Sequence, residues 1–136
     1  MARRWTPVHP SQRFNFPRDN PRTCYLGEDM GVCRVEVFGR TGGLVPLKAY
    51  GAKARVDIVA WDLRTAGIGL TKALAALVAD PRHTWEVKML ATRARRDGVQ
   101  AIVYRSVRDR KKWCVTIFVE NVRPSQFRRG RWKPLR

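Results

Sequence analysis

Residues 70–98, LTKALAALVADPRHTWEVKMLATRARRDG, decide the fold class, because apolar side chains recur there at helical rather than strand spacing. In the first part of this stretch the repeat forms one continuous apolar face. Its members are Leu70, Ala73, Leu74, Leu77 and Val78. The pattern predicts an amphipathic helix that ends near Asp80.

A second helix is predicted to follow at once. Asp80 is a typical N-cap residue, and Pro81 suits the first helical position, where its missing N–H is not needed. Asp97-Gly98 is a typical helix end, because glycine readily adopts the left-handed conformation found there. We expect this helix to bury its larger apolar side chains, Trp85, Met89 and Leu90.

Strands are predicted on both sides of the helical pair. Before it, apolar residues alternate with others along Ala54–Trp61, which indicates a strand with one apolar face. After it, Gln100–Tyr104 and Trp113–Glu120 are predicted strands joined by a basic connector, Arg105–Lys112. This order lacks the regular alternation of strand and helix that a doubly wound sheet requires. The sequence therefore predicts a mixed α and β architecture.

The remaining segments are less regular. Residues 1–22 contain four prolines, which disfavour a helix, and we expect an extended or looped lead-in. The run Val32–Phe38 fits a strand or a helix equally well. Residues 41–51 contain three glycines and one proline, which indicates a loop. Residues 121–136 carry six basic residues and no acidic ones, and we expect them to form a tail.

The charge of the chain is strongly positive. Its 136 residues include 28 Lys and Arg against 11 Asp and Glu, a net charge of +17. Eleven of the basic residues lie within residues 105–136. Such a field attracts polyanions, which include nucleic acid, phosphorylated small molecules and acidic proteins. Charge alone does not choose among them.

Composition argues against several classes of protein. No apolar run approaches the roughly 20 residues needed to cross a bilayer, and no apolar segment of a signal peptide follows the basic N-terminus. Three cysteines without a C-x-x-C spacing argue against a disulfide framework or structural zinc, and for a reduced cytoplasm. His9 and His83 have no further ligands at metal-binding spacing, so we expect no metal site.

One candidate function follows from the C-terminal residues. Aromatic residues are interleaved with arginines there, a pattern that can stack on bases and pair with phosphates. The residues that would carry this function are Arg128, Arg129, Arg131 and Trp132. The alternative is a solvated terminus that keeps the protein soluble. A non-catalytic nucleic-acid-binding module using residues 105–136 is therefore one hypothesis.

Four short motifs support a second hypothesis. They are Arg13-Phe14-Asn15-Phe16-Pro17, Cys24-Tyr25-Leu26-Gly27, Val35-Glu36-Val37-Phe38-Gly39-Arg40 and Ala101-Ile102-Val103-Tyr104-Arg105-Ser106-Val107-Arg108, and an apolar strand, Cys114–Val119, follows the last. In this order and spacing they resemble the RES family, whose members are toxins of bacterial toxin–antitoxin pairs. The resemblance covers about residues 11–120, with residues 1–10 as a lead-in and 121–136 as a tail.

The resemblance implies a fold and a reaction. The fold is a single α+β domain, an ADP-ribosyltransferase-like mixed sheet with a central helical pair. The reaction breaks the nicotinamide–ribose bond of NAD, which is a substrate rather than a cofactor, and the ADP-ribose is released or transferred. The implied partners are therefore NAD and an acidic or Xre-type antitoxin protein, in the cytoplasm and away from membranes.

The resemblance also assigns roles to individual residues. Glu36 is the implied catalytic carboxylate, since an oxocarbenium-like ribose needs negative charge beside it. Arg13 suits the pyrophosphate through its planar guanidinium. Tyr25 is expected to stack on the nicotinamide or close its pocket, and Ser106 to hold the nicotinamide side or orient Glu36. A further family arginine lies ahead of the Arg13 segment, and here Arg3 or Arg4 would have to serve, of which we assign Arg4.

Overall fold

A four-stranded mixed sheet forms the centre of the protein in the computed structural model, which describes residues 13–29, 31–33, 35–36, 47–54, 57–64, 70–80 and 82–135. The strands are β1 (Thr23–Gly27), β3 (Ala60–Asp62), β4 (Ala101–Arg105) and β5 (Trp113–Phe118), in the order β1-β5-β4-β3. β5 is antiparallel to both neighbours, and β3 is parallel to β4. These elements make an α+β fold within one small domain.

Two helices make the crossover between the parallel strands β3 and β4. They are α1 (Leu70–Ala79) and α2 (Thr84–Arg96). A crossover of this kind is what a parallel pair needs, since a tight hairpin cannot join two strands that run the same way. The predicted helical pair is therefore confirmed.

The sheet buries side chains on both of its faces, because successive residues of a strand point in opposite directions. On the face that packs with the helices, Ile102 and Tyr104 of β4 join Phe118 of β5 in the main core. On the opposite face, Ala101 of β4 and Ile117 of β5 belong to a second, smaller apolar cluster. The strands predicted after the helical pair are confirmed: β5 lies within its predicted range, and β4 extends one residue beyond its own, to Arg105.

Helix α2 buries a different face from the one we predicted. Its buried side chains are Val87, Ala91 and Ala94, which recur at helical spacing. Trp85 is 63% exposed and Met89 48% exposed, so their predicted burial was wrong. Only Leu90 of the predicted set packs against the core. We predicted the buried face from the largest apolar side chains, whereas the face that enters the core carries smaller residues.

The two ends of α2 differ from each other in how well they were predicted. The end at Asp97-Gly98 is confirmed: Gly98 has a φ of 77° and its N–H bonds the carbonyl of Arg95. The predicted start at Asp80 is displaced, since the helix begins at Thr84. The Asp80 carboxylate instead accepts hydrogen bonds from the backbone and guanidinium of Arg82.

A two-stranded ribbon completes the fold. β2 (Leu47–Ala54) pairs antiparallel with β6 (Phe127–Leu135). The pairing shifts register between Tyr50 and Ala52, because the single residue Gly51 stands opposite two residues of β6, Gly130 and Arg131, as in a β-bulge. β2 lies partly where a loop was predicted, and the strand predicted over Ala54–Trp61 is wrong, because residues 57–59 are irregular.

Three further predictions concern the two ends of the chain. Pro17–Arg22 forms a 3-10 helix where an extended lead-in was predicted, because proline fixes a φ that also suits this tighter helix. The predicted tail did not anticipate β6, whose partner lies about eighty residues earlier in the chain. Residues 1–10 lie outside the described part of the chain.

None of the helices in the described residues is long and apolar enough to span a membrane.

The difference in burial between the two faces of α2 predicts how substitutions there change the free energy of unfolding. Val87→Ala removes two buried methyl groups and should lower the free energy of unfolding by about 2 kcal/mol. Met89→Ala, two residues away on the exposed face, should change it by less than about 0.5 kcal/mol. Urea denaturation of both variants measures the difference. Equal losses would contradict the assignment of the buried face.

Candidate functional site

A hydrogen bond between the side chains of Ser106 and Glu36 lies at the centre of the candidate site. Ser106 directly follows β4, is 1% exposed, and donates a hydrogen bond from Oγ to the Glu36 carboxylate. The same oxygen accepts hydrogen bonds from the N–H groups of Arg108 at 3.2 Å and Asp109 at 3.1 Å. A hydroxyl has one donor and two acceptor positions. All three are occupied, so the Ser106 hydroxyl proton is directed at Glu36.

Glu36 is brought to Ser106 by a helical segment. Residues 31–33 and 35–36 are helical, which settles the choice that the sequence left open between strand and helix. The segment is anchored by Val32, which is 1% exposed in the core. A Cβ added to Gly27 would lie 2.6 Å from Val32 Cγ1 and 2.8 Å from Cys33 Sγ. Glycine at the end of β1 is therefore required for the segment to approach this closely.

Lys112 ties both sides of the Ser106–Glu36 contact together. Its Nζ lies 2.6 Å from Oδ2 of Asp29, at the start of the segment that carries Glu36. Its backbone carbonyl accepts the N–H of Ser106 at 3.0 Å. The hydrogen bond from Lys112 lowers the pKa of the Asp29 carboxyl. Asp29 also accepts the N–H of Val32 at 2.9 Å, so the ion pair and the helical segment share one carboxylate.

The Tyr25 hydroxyl locks the Arg13 motif onto β1. It donates to Asn15 Oδ1 at 2.5 Å and accepts the backbone N–H of Phe14 at 3.0 Å. Phe14 and Asn15 are almost fully buried, at 0% and 1% exposed. The Asn15 amide also donates to the carbonyl of Phe16 at 3.0 Å. These bonds leave the backbone that carries Arg13 with little freedom.

Arg13 presents unused hydrogen-bond donors inside the protein. Its Nη2 donates to the Val78 carbonyl at 2.5 Å, in the last turn of α1, where the helix dipole favours a cation. Its Nε and Nη1 are buried and have no partner among the described residues. The guanidinium carbon lies 5.5 Å from the ring centre of Phe14 and 6.0 Å from that of Tyr104. Buried charged donors without partners are costly, and an anion between them would offset that cost.

Tyr104 connects the two halves of the site. Its ring lies 4.6 Å from Phe14, centre to centre. Burial raises the pKa of Tyr104 well above its usual value, and the neighbouring Cys114 and the charge of Glu36 raise it further. Burial likewise raises the pKa of Cys114 to about 12, again with the Glu36 charge contributing. Tyr104 and Cys114 therefore stay neutral in the presence of the Glu36 charge.

Four of the five residues that the sequence singled out for the NAD site lie in the described part of the chain, and their contacts join them in two pairs. Glu36 and Ser106 are in direct contact, and Tyr25 holds the segment that carries Arg13. Arg4 lies outside the described residues. Two residues with clear roles, Asn15 and Tyr104, belong to the quoted motifs but received no role from the sequence. The sequence could have indicated both residues, because each lies within three positions of a predicted site residue.

The residues of the alternative hypothesis lie elsewhere in the fold. Arg128, Arg129, Arg131 and Trp132 all belong to strand β6. In the ribbon, Arg128 pairs with Lys53 and Trp132 with Tyr50. In the part of the chain that the structure describes, no group of three or more His, Cys, Asp or Glu could hold a metal ion.

The hydrogen bonds of Tyr25 predict the effect of removing its hydroxyl. Tyr25→Phe leaves the Asn15 oxygen and the Phe14 N–H without their partner, so the free energy of unfolding should fall by about 1–3 kcal/mol. Urea denaturation measures this loss, and an unchanged slope against urea shows that compactness is the same. A variant as stable as the wild type would contradict the role of the hydroxyl.

Comparison with known proteins places the chain in a family. None of the curated proteins compared with the chain matches it. The family model described as RES domain matches residues 2–131, nearly the whole chain. This range contains all four motifs and the contacts described above. RES domains are associated with toxin–antitoxin systems and with NAD-related activity. The chain belongs to the RES domain family.

Proposed function

We propose that this protein is an enzyme that cleaves the nicotinamide–ribose bond of NAD. The observation that carries the proposal is the hydrogen bond from Ser106 to Glu36, because it holds a carboxylate in one orientation. The burial of Tyr104 and Cys114, whose pKa values the Glu36 charge raises, also supports it, since a charge acts more strongly where water is scarce. The NAD-related activity of the family is consistent with this reaction.

In the proposed reaction the bond between ribose C1′ and the nicotinamide nitrogen breaks. The bonding electron pair stays on that nitrogen, so nicotinamide leaves neutral, and positive charge develops on the ribose. The Glu36 carboxylate stabilises this charge and bonds the ribose hydroxyls, as carboxylates do in glycoside cleavage. An acceptor oxygen or nitrogen then bonds to C1′ and releases a proton. Water, phosphate and a protein side chain are all acceptors of this type.

Arg13 is the proposed binding residue for the pyrophosphate of NAD. The two buried nitrogens without described partners, Nε and Nη1, support this role. A guanidinium offers paired, charge-assisted bonds that match phosphate geometry. Tyr25 is the proposed wall of the nicotinamide pocket. We include an ADP-ribosyltransferase-like fold in the proposal, which the mixed sheet with its helical crossover supports.

We further propose that a cognate antitoxin neutralises the enzyme. Two observations support an acidic partner. One is the net charge of +17, and the other is the association of the family with toxin–antitoxin systems. An acidic or Xre-type protein would meet a complementary field, which speeds association.

Replacement of the proposed catalytic carboxylate tests the reaction. Glu36→Gln should slow NAD loss by about 100- to 1,000-fold, because it removes the charge that stabilises the ribose cation. Glu86→Gln, on the exposed face of α2, is the matched control and should retain full activity. Nicotinamide release from NAD by the purified proteins is the measurement. Turnover by a well-folded Glu36→Gln variant would remove Glu36 from the mechanism.

Ser106 is proposed as a positioning residue, which makes a separate prediction. Ser106→Ala releases Glu36 from its fixed orientation, so kcat should fall by about 10- to 100-fold. KM for NAD should change little, because the pyrophosphate contacts remain. Ser125→Ala, at an exposed serine, is the control. A rise in KM with unchanged kcat would instead show that Ser106 binds the substrate.

A further inference from the structure

A groove with a volume of about 490 Å³ lies on the exposed side of α2. One wall comes from the end of the Arg13 motif and the residue after it, with Phe16 and Arg18. The other wall comes from α2, with Trp85, Met89, Thr92 and Arg96. The α2 residues recur at helical spacing, so they form one continuous strip of the helix surface. Neither hypothesis drawn from the sequence uses this surface.

The middle of the groove is aromatic. Trp85 is 63% exposed, although an indole ring in water is costly in a soluble protein. Its ring meets the ring of Phe16 edge to face, with centres 5.3 Å apart and planes at 72°. This contact fixes the tilt of the indole while leaving most of its surface open. A held, exposed aromatic ring is a platform for another flat ring.

The rim of the groove is positively charged. The Arg18 guanidinium lies 5.3 Å from the centre of the Phe16 ring. Among the described residues, its one carboxylate partner is Asp19, whose Oδ1 lies 3.9 Å from Arg18 Nε. Arg96 forms no ion pair among the described residues. On the same helix, by contrast, Arg93 is paired with Asp97 at 2.8 Å. None of the described residues that line the groove is acidic.

We propose that this groove binds single-stranded nucleic acid. A base stacks on the Trp85 indole, and Arg18 and Arg96 contact the phosphates on either side of it. Aromatic platforms flanked by cations are the common design of single-strand sites. The strand must be single, because a paired base has no free face to offer.

An acidic protein segment fits the groove less well. Among the described residues, three apolar side chains line it, Phe16, Trp85 and Met89. They offer little area compared with the roughly 800 Å² that a stable protein interface buries on each partner. The proposal also stands apart from NAD cleavage, because no described residue of the groove has a proposed contact with NAD, although Phe16 lies in the Arg13 motif. The Glu36→Gln variant should therefore bind a single strand as the wild type does.

The test uses a fluorescein-labelled, twelve-nucleotide oligothymidylate and fluorescence anisotropy. Trp85→Ala should weaken binding by about 5- to 100-fold, which is the usual cost of removing one stacking partner. Trp85→Phe, which keeps an aromatic face, should recover most of the affinity. Circular dichroism shows that both variants fold, and the exposure of Trp85 predicts that they do.

The charged rim is tested with a matched pair of arginines. Arg96→Gln should weaken binding and lower the slope of log affinity against log salt by about 0.7, the value for one single-strand phosphate. Arg93→Gln, in which a paired arginine of the same helix is changed, should leave both unchanged. A duplex of the same length should bind more weakly than the single strand.

Four results would overturn the proposal. Wild-type affinity in Trp85→Ala would show that no base stacks there. Equal losses in the two arginine variants, with equal binding of the duplex, would show a diffuse electrostatic attraction. Displacement of the oligonucleotide by NAD would assign the groove to the NAD site. Polyglutamate that binds as tightly, and depends on Trp85, would assign the groove to an acidic protein.

Discussion

The three hydrogen bonds of the Ser106 hydroxyl are the constraint on which the proposed chemistry depends. Two backbone N–H groups of the β4–β5 connector hold its oxygen, and its one proton is committed to Glu36. The hydroxyl thereby joins the end of a central strand to the helical residues 31–33 and 35–36.

A second clamp, around the Tyr25 hydroxyl, fixes the other half of the site. It ties Phe14 and Asn15 to β1, and so determines where Arg13 lies. The two clamps meet at Tyr104, whose ring lies near Arg13 and whose phenol is sensitive to the charge of Glu36. A cation with unused donors and a carboxylate are therefore held around one buried aromatic ring. NAD presents the complementary groups, a pyrophosphate and a ribose that becomes cationic.

Local sequence patterns predicted much of the fold, and their failures have physical causes. The apolar repeat from Leu70 to Val78 lies within α1, and Gly98 directly follows the C-cap of α2, so local sequence was enough to predict both features correctly. The pairing of β2 with β6 depends on a partner far along the chain, which no local pattern records. The buried face of α2 was missed because its core residues, Val87, Ala91 and Ala94, are smaller than the exposed Trp85 and Met89.

The site was more predictable than the packing, because its residues lie in short motifs of fixed order. Glu36 and Ser106 are 70 residues apart in the chain, yet both were named from the sequence. The roles of Asn15 and Tyr104 depend on distances that only the folded chain supplies. The open groove beside Trp85 was also invisible, since the sequence predicted that ring to be buried.

Calorimetric titration of NAD into the Glu36→Gln variant, with and without Arg13→Gln, tests the central claim most directly. Chemistry is blocked in both proteins, so the heat reports binding alone. We expect one saturable site in Glu36→Gln, and binding about 10- to 100-fold weaker once Arg13 is also replaced. No saturable binding, or equal affinity in the two variants, would contradict the placement of NAD between Arg13 and Glu36.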